Sequence, residues 1–129
     1  MKTKIRYDKK ITREVKHDNI EIALYHSDIL IFLPHNEKVL NKYWDDIDKA
    51  AGGYTQDYMK DHREIWIRFP GKIYYEYISH EATHAAASIL EYIGHKHSGG
   101  DDEALAYLIG YISSEIVKLC KKNKVKIYG

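Results

Sequence analysis

The sequence has almost no cysteine and no apolar stretch long enough for a membrane span. Cys120 is the single cysteine among 129 residues, which excludes an internal disulfide and a zinc site built from several thiolates. The longest apolar stretch, DILIFLP, is far shorter than the about 20 residues of a membrane-spanning helix. The N-terminal residues lack the apolar core of a secretory signal. We therefore expect a cytoplasmic protein that does not bind membranes.

Neither sign of charge predominates in the chain. Lys and Arg number 20 against 19 Asp and Glu, which gives a formal net charge of +1. This balance gives no electrostatic reason to expect a nucleic acid as partner. The length suits one domain, residues 1–129, with a single core. Because thiolates are excluded, any zinc site must use histidine and carboxylate side chains.

The first half of the chain predicts a hairpin and one helix. Residues 11–26 and 27–34 are rich in β-branched residues and predict two strands, with the turn at residues 26–28. Residues 36–51 have apolar positions at helical spacing, and Gly52 and Gly53 suit the end of a helix. A polar connection follows.

The second half predicts one strand and two longer helices. Residues 63–70, REIWIRFP, place Ile65, Ile67 and Phe69 on one side of a strand. Apolar residues then recur every three or four positions, which predicts helices over 72–93 and 101–122. We therefore predict an α+β fold in which a small twisted sheet packs on three helices, with helix 72–93 in the centre.

Helix 72–93 carries the pattern H-E-x-x-H at residues 80–84. Residues four apart lie on the same face of a helix, so His80 and His84 can bind one metal ion. Glu81 is turned by about 100° from His80 and would lie beside the ion. A carboxylate in that position can accept a proton from an attacking water molecule. The pattern is typical of zinc hydrolases for this reason.

A catalytic zinc ion usually has three protein ligands, so a third is expected in addition to His80 and His84. A histidine six residues after His84 would indicate the metzincin class, but Leu90 is at that position. Glu103 is favoured, because the first turn of the following helix can hold a carboxylate rigidly against the motif helix. Other candidates follow the motif helix: His95 and His97 on a glycine-flanked loop, Asp101 and Asp102.

HEATH, followed nineteen residues after His84 by Glu103 in DDEALAYLIGY, resembles the gluzincin branch of the zincin-like metallopeptidases. It is similar in particular to small metallopeptidases encoded by bacteriophages, for which the host cytoplasm is the expected location. The resemblance covers about residues 52–119. It implies a minimal zincin-like domain in which His80, His84 and Glu103 bind Zn2+ and Glu81 is the general base. The implied activity is hydrolysis of a peptide or protein substrate.

Two further features are expected to serve that chemistry. Tyr107 lies one turn after Glu103 and is the candidate phenol donor to the oxyanion of the reaction. The strand at 63–70 is expected to form one wall of the cleft and to pair with an extended substrate. Trp66 and Arg68 would then lie along the groove.

A non-catalytic protein is the alternative. Such a protein would keep the zincin scaffold, with a structural or vestigial metal site, and would bind or inhibit another protein. Glu81 favours the enzyme, because a purely structural metal site has no use for a carboxylate that is not a ligand.

Overall fold

The computed structural model describes residues 6–43, 52–95 and 102–129. Helices and strands both contribute, which confirms the predicted α+β class. The described helices are α1 (Lys9–Glu14), α2 (Glu37–Leu40), α3 (Met59–His62), α4 (Tyr75–Tyr92) and α5 (Glu103–Lys122). The described strands are β1 (Asp18–Ile22), β2 (Ser27–Phe32), β3 (Tyr54–Tyr58), β4 (Glu64–Arg68), β5 (Ile73–Tyr74) and β6 (Ile127–Tyr128).

A four-stranded sheet in the order β1-β2-β4-β3 forms the middle layer of the fold. β1 and β2 form the predicted antiparallel hairpin, with a 3-10 turn at Ala23–Tyr25. β4 lies parallel to β2 and antiparallel to β3, which is the outermost strand of the sheet that the described residues form. A separate parallel pair, β5 and β6, ties the C-terminal residues to the start of α4.

The two faces of the sheet are buried against different helices. On one face, Ile31 and Ile67 belong to a large cluster that includes residues of α4 and α5. On the other face, Phe32 and Trp66 pack with residues of α1 and α2. Because successive side chains of a strand point to opposite faces, the continuous apolar run at residues 29–32 of β2 is explained by burial on both sides.

The prediction of a strand from residue 11 is wrong for its first part, because Lys9–Glu14 is helical. Asp8 caps this helix by accepting a hydrogen bond from the backbone N–H of Lys10. Ile11 and Val15 lie four residues apart, and both are buried in the smaller cluster. The two residues therefore share one helix face, although β-branched residues such as these favour strands.

The polar connection after Gly53 is also a strand, β3, which the sequence analysis missed. Tyr54 and Tyr58 pack on the smaller cluster, whereas Thr55 is paired with Ile67 and shares its side of the sheet. Tyr and Thr both favour strands, but an edge strand needs only modest burial and carries a weak apolar pattern. For this reason the segment looks like a loop in sequence.

The remaining helices agree with the predictions in part. α4 and α5 correspond to the helices predicted at 72–93 and 101–122, although residues 73 and 74 belong to β5. Within the predicted helix 36–51, the structure has only the single turn Glu37–Leu40, and residues 44–51 lie outside the described residues. Among the described helices, none combines the length and apolar character that crossing a membrane demands.

Candidate metal centre

α4 holds His80 and His84 side by side on an exposed face. Their Nε2 atoms are 3.2 Å apart, and the two rings are nearly perpendicular. Two nitrogen ligands of one tetrahedral zinc ion, each at about 2.0–2.1 Å, are separated from each other by about 3.3–3.4 Å. The pair therefore has the geometry of two imidazoles that converge on one metal ion. The same separation also allows a hydrogen bond from one ring to the other.

Glu81 lies on the neighbouring face of α4 and is only 4% exposed. Its Oε1 accepts a 2.6 Å hydrogen bond from the Thr55 hydroxyl of β3. Burying a carboxylate is costly unless its oxygens are hydrogen-bonded, so Thr55 compensates part of that cost. Glu81 is therefore held between the motif helix and the edge strand, beside the histidine pair but not exposed with it.

His80 and Glu81 line one cavity of about 350 Å³ together with Gly52, Gly53, Glu76 and Tyr77. A Cβ atom at Gly53 would lie 2.9 Å from Cγ of Glu81. A Cβ atom at Gly52 would lie 2.5 Å from the ring of Tyr77. The chain that enters β3 thus passes directly over α4, and glycine permits this close approach. The sequence pattern predicts both glycines at the end of a helix and gives no sign of this close approach.

Tyr77 is linked to the C-terminal strand β6 through a chain of aromatic contacts. Its ring packs edge to face on Tyr74, with centroids 5.1 Å apart. Tyr74 in turn contacts Tyr128 of β6 at 5.5 Å. The β5–β6 pair therefore braces the wall of the cavity that contains Glu81.

Glu103 and Tyr107 are not brought to the histidine pair. Both line a different groove, which they share with Leu24 and Tyr25. Within residues 6–43, 52–95 and 102–129, no three His, Cys, Asp or Glu side chains form a group that could hold a metal ion. Glu103 as third ligand and Tyr107 as donor thus remain predictions from sequence.

The other candidate ligands divide into two groups. His95 Nε2 lies 3.1 Å from Asp102 Oδ1, and the same carboxylate caps α5 by accepting a hydrogen bond from the N–H of Leu105. This arrangement gives His95 and Asp102 a structural role at the start of α5. His97 and Asp101 lie outside the described residues.

The expectation that strand 63–70 pairs with substrate is wrong. β4 is paired on both sides, with β2 and with β3, so it has no free edge. Trp66 and Arg68 are only 2% and 3% exposed and lie on the sheet face away from α4. Arg68 forms an ion pair with Glu37 and a hydrogen bond with Asn41.

The chain matches no protein-family model, and no curated protein or solved structure is significantly similar to it.

Proposed function

We propose that this protein is a zinc-dependent peptidase with a minimal zincin-like domain, in which His80 and His84 hold the metal and Glu81 is the general base. The convergence of the two Nε2 atoms, 3.2 Å apart beside a buried carboxylate, supports the proposal most directly. Bound zinc would supply Lewis-acid activation of water near neutral pH. The third ligand is proposed to be Glu103, on the resemblance to gluzincins.

Glu81 is well placed to move a proton. Thr55 engages Oε1, and the described residues provide no hydrogen-bond partner for Oε2. One oxygen is thus held in position while the other can accept a proton from the attacking water and pass it to the leaving amine. Fixing the carboxylate through Thr55 also limits its rotation, which favours a reproducible geometry for proton transfer.

A peptide substrate would fit along α4, which lines two cavities. Near the start of β3 is the cavity with His80 and Glu81. Near its end is a second cavity, of about 530 Å³, between Asp57 on β3 and Glu91 on α4. A peptide substrate that reached both cavities would lie along α4 between them.

A non-catalytic binding protein on the same scaffold is the second candidate. It is favoured by the exposure of Leu24 and Tyr107, which are 79% and 80% exposed and line a groove that neither His80 nor Glu81 lines. Enzyme and binding protein differ in what they require of Glu81, because only the enzyme needs a base there.

The two candidates are separated by measuring zinc content and hydrolysis of an unbiased peptide library on the same preparations. We expect about one zinc ion per wild-type chain purified without chelator, and loss of zinc in His84→Ala. Glu81→Gln should keep zinc while turnover falls by roughly 10² to 10⁴. His35→Ala, which removes an exposed histidine outside the motif, is the matched control and should change neither quantity.

Two results would contradict the proposal. Unchanged zinc content in His84→Ala would remove the metal site. A wild type that binds zinc but cleaves no peptide, or a fully active Glu81→Gln, would favour the binding protein.

A further inference from the structure

A groove of about 540 Å³ lies between the tip of the β1–β2 hairpin and the first half of α5. Residues 21–25 form one wall. The other wall is a stripe on α5 in which Glu103, Tyr107 and Tyr111 follow each other at intervals of four, so they lie on one face of the helix. Neither His80 nor Glu81 lines this groove, although Glu103, the proposed third ligand, does.

The walls of the groove expose apolar side chains. Within the described residues, six large hydrophobic side chains are exposed, and three of them line this groove: Leu24 at 79%, Tyr107 at 80% and Tyr111 at 40%. Leu24 is at the tip of a hairpin, where polar residues are usual. A contiguous exposed apolar patch often marks an interaction site, and tyrosine is enriched at protein interfaces.

The charge of the groove restricts what it can bind. Glu21 and Glu103 are exposed at its rim, and the described part of the chain places no cationic side chain against either of them. The described residues that line the groove include no Lys, Arg or His. A partner with acidic side chains would be repelled. A partner with Lys or Arg would instead be attracted by the two carboxylates at the rim.

We propose that this groove binds a segment of another protein that presents an apolar side chain of about leucine size next to Lys or Arg. The apolar side chain would lie between Leu24 and Tyr107, where it would remove exposed apolar surface on both walls from water. The basic side chain would reach the carboxylate of Glu21 and could pack its cationic head on the ring of Tyr111. This surface requires neither zinc nor peptidase activity.

The test is a 15N NMR titration of the full chain with three helical peptides of equal length. The first presents Leu next to Lys, the second presents Leu next to Glu, and the third presents Ser next to Lys. We expect the Leu/Lys peptide to shift the resonances of residues 21–25 and 103–111 and to bind at least about tenfold more tightly than the other two. Leu24→Ser and Glu21→Lys should each weaken that binding about tenfold. Ile93→Ser, which alters an exposed apolar residue outside the groove, is the matched control and should bind like wild type.

Leu24 and Glu21 are exposed, so these variants should fold, and an unchanged thermal unfolding midpoint checks this. Zinc content and peptide hydrolysis should also stay unchanged in Leu24→Ser and Glu21→Lys. A result that contradicts peptide binding in the groove can therefore be distinguished from one that contradicts the peptidase proposal. Equal binding of the Leu/Glu peptide, shifts confined to other residues, or no binding would overturn the proposal. Self-association by light scattering that disappears in Leu24→Ser would also overturn it, because a second copy would then occupy the groove.

Discussion

The Thr55 hydroxyl donates a 2.6 Å hydrogen bond to Oε1 of Glu81, and this bond joins the edge strand β3 to the motif helix α4. Thr55 also lies 3.4 Å from the backbone carbonyl of Glu81. One residue of a polar strand thus fixes the carboxylate that we propose as general base.

Replacing Thr55 by valine should destabilise the protein. Thr55→Val keeps a branched side chain but leaves Oε1 of the buried Glu81 without its donor, so we expect the free energy of unfolding to fall by about 1–3 kcal/mol. Thr55→Ser retains a hydroxyl and should lose less. Urea denaturation of both variants measures the difference. Equal stability of Thr55→Val and wild type would mean that this bond contributes nothing to folding.

Alanine at Gly53 should be poorly tolerated. The added Cβ would lie 2.9 Å from Cγ of Glu81, so β3 and α4 would have to move apart, at a cost of about 1–3 kcal/mol in unfolding free energy. Gly71→Ala is the matched control, because a Cβ there meets nothing within 4 Å. The two midpoints of chemical denaturation should therefore differ. If Gly53→Ala unfolds at the same denaturant concentration as Gly71→Ala, the close approach is not a constraint.

The third zinc ligand can be assigned by substitution. The resemblance to gluzincins predicts that Glu103→Gln lowers zinc affinity by more than the about 10-fold to 100-fold typical of residues that only support a ligand. His95→Ala and His97→Ala should retain zinc. Competition with a chromophoric chelator measures all three affinities. Zinc retained in Glu103→Gln but lost in His97→Ala would identify His97 as the third ligand instead. Glu103 would then be only a residue of the groove that it lines.

Cys120 should be unreactive in the folded protein, and its titration should lower stability at high pH. Burial, with a smaller effect of Asp18, raises the pKa of the Cys120 thiol from 9.0 to about 11. Below pH 9 the thiol is protonated in folded and unfolded chains alike. Between pH 9 and 11 the unfolded chain loses this proton first, so the free energy of unfolding decreases as pH rises.

The measurement is the unfolding free energy of wild type and Cys120→Ala across pH 9 to 11, since other groups titrate equally in both. We expect the wild type to lose more stability over this interval than the variant does. Parallel curves, or rapid reaction of the native thiol with a thiol reagent at neutral pH, would show that Cys120 is not buried as described.

The helices and strands with the strongest apolar pattern were the ones that could be predicted from the sequence. α4 and α5 were predictable because long runs of apolar residues at intervals of three and four indicate buried helix faces. β2 and β4 are apolar enough to be recognised as strands. β3 and α1 were missed, since each buries few residues and its local pattern suits more than one structure.

The sequence by itself determined that His80 and His84 share one helix face with Glu81 on the next, because helical spacing is a local property of the chain. Only the tertiary structure decided the surroundings of that motif. Thr55 and Gly53 meet Glu81 through contacts between residues far apart in sequence, and no local pattern specifies such contacts. The position of Glu103 relative to the motif is likewise not specified locally: it depends on how α5 docks on α4, which is a property of their packing and not of residue spacing.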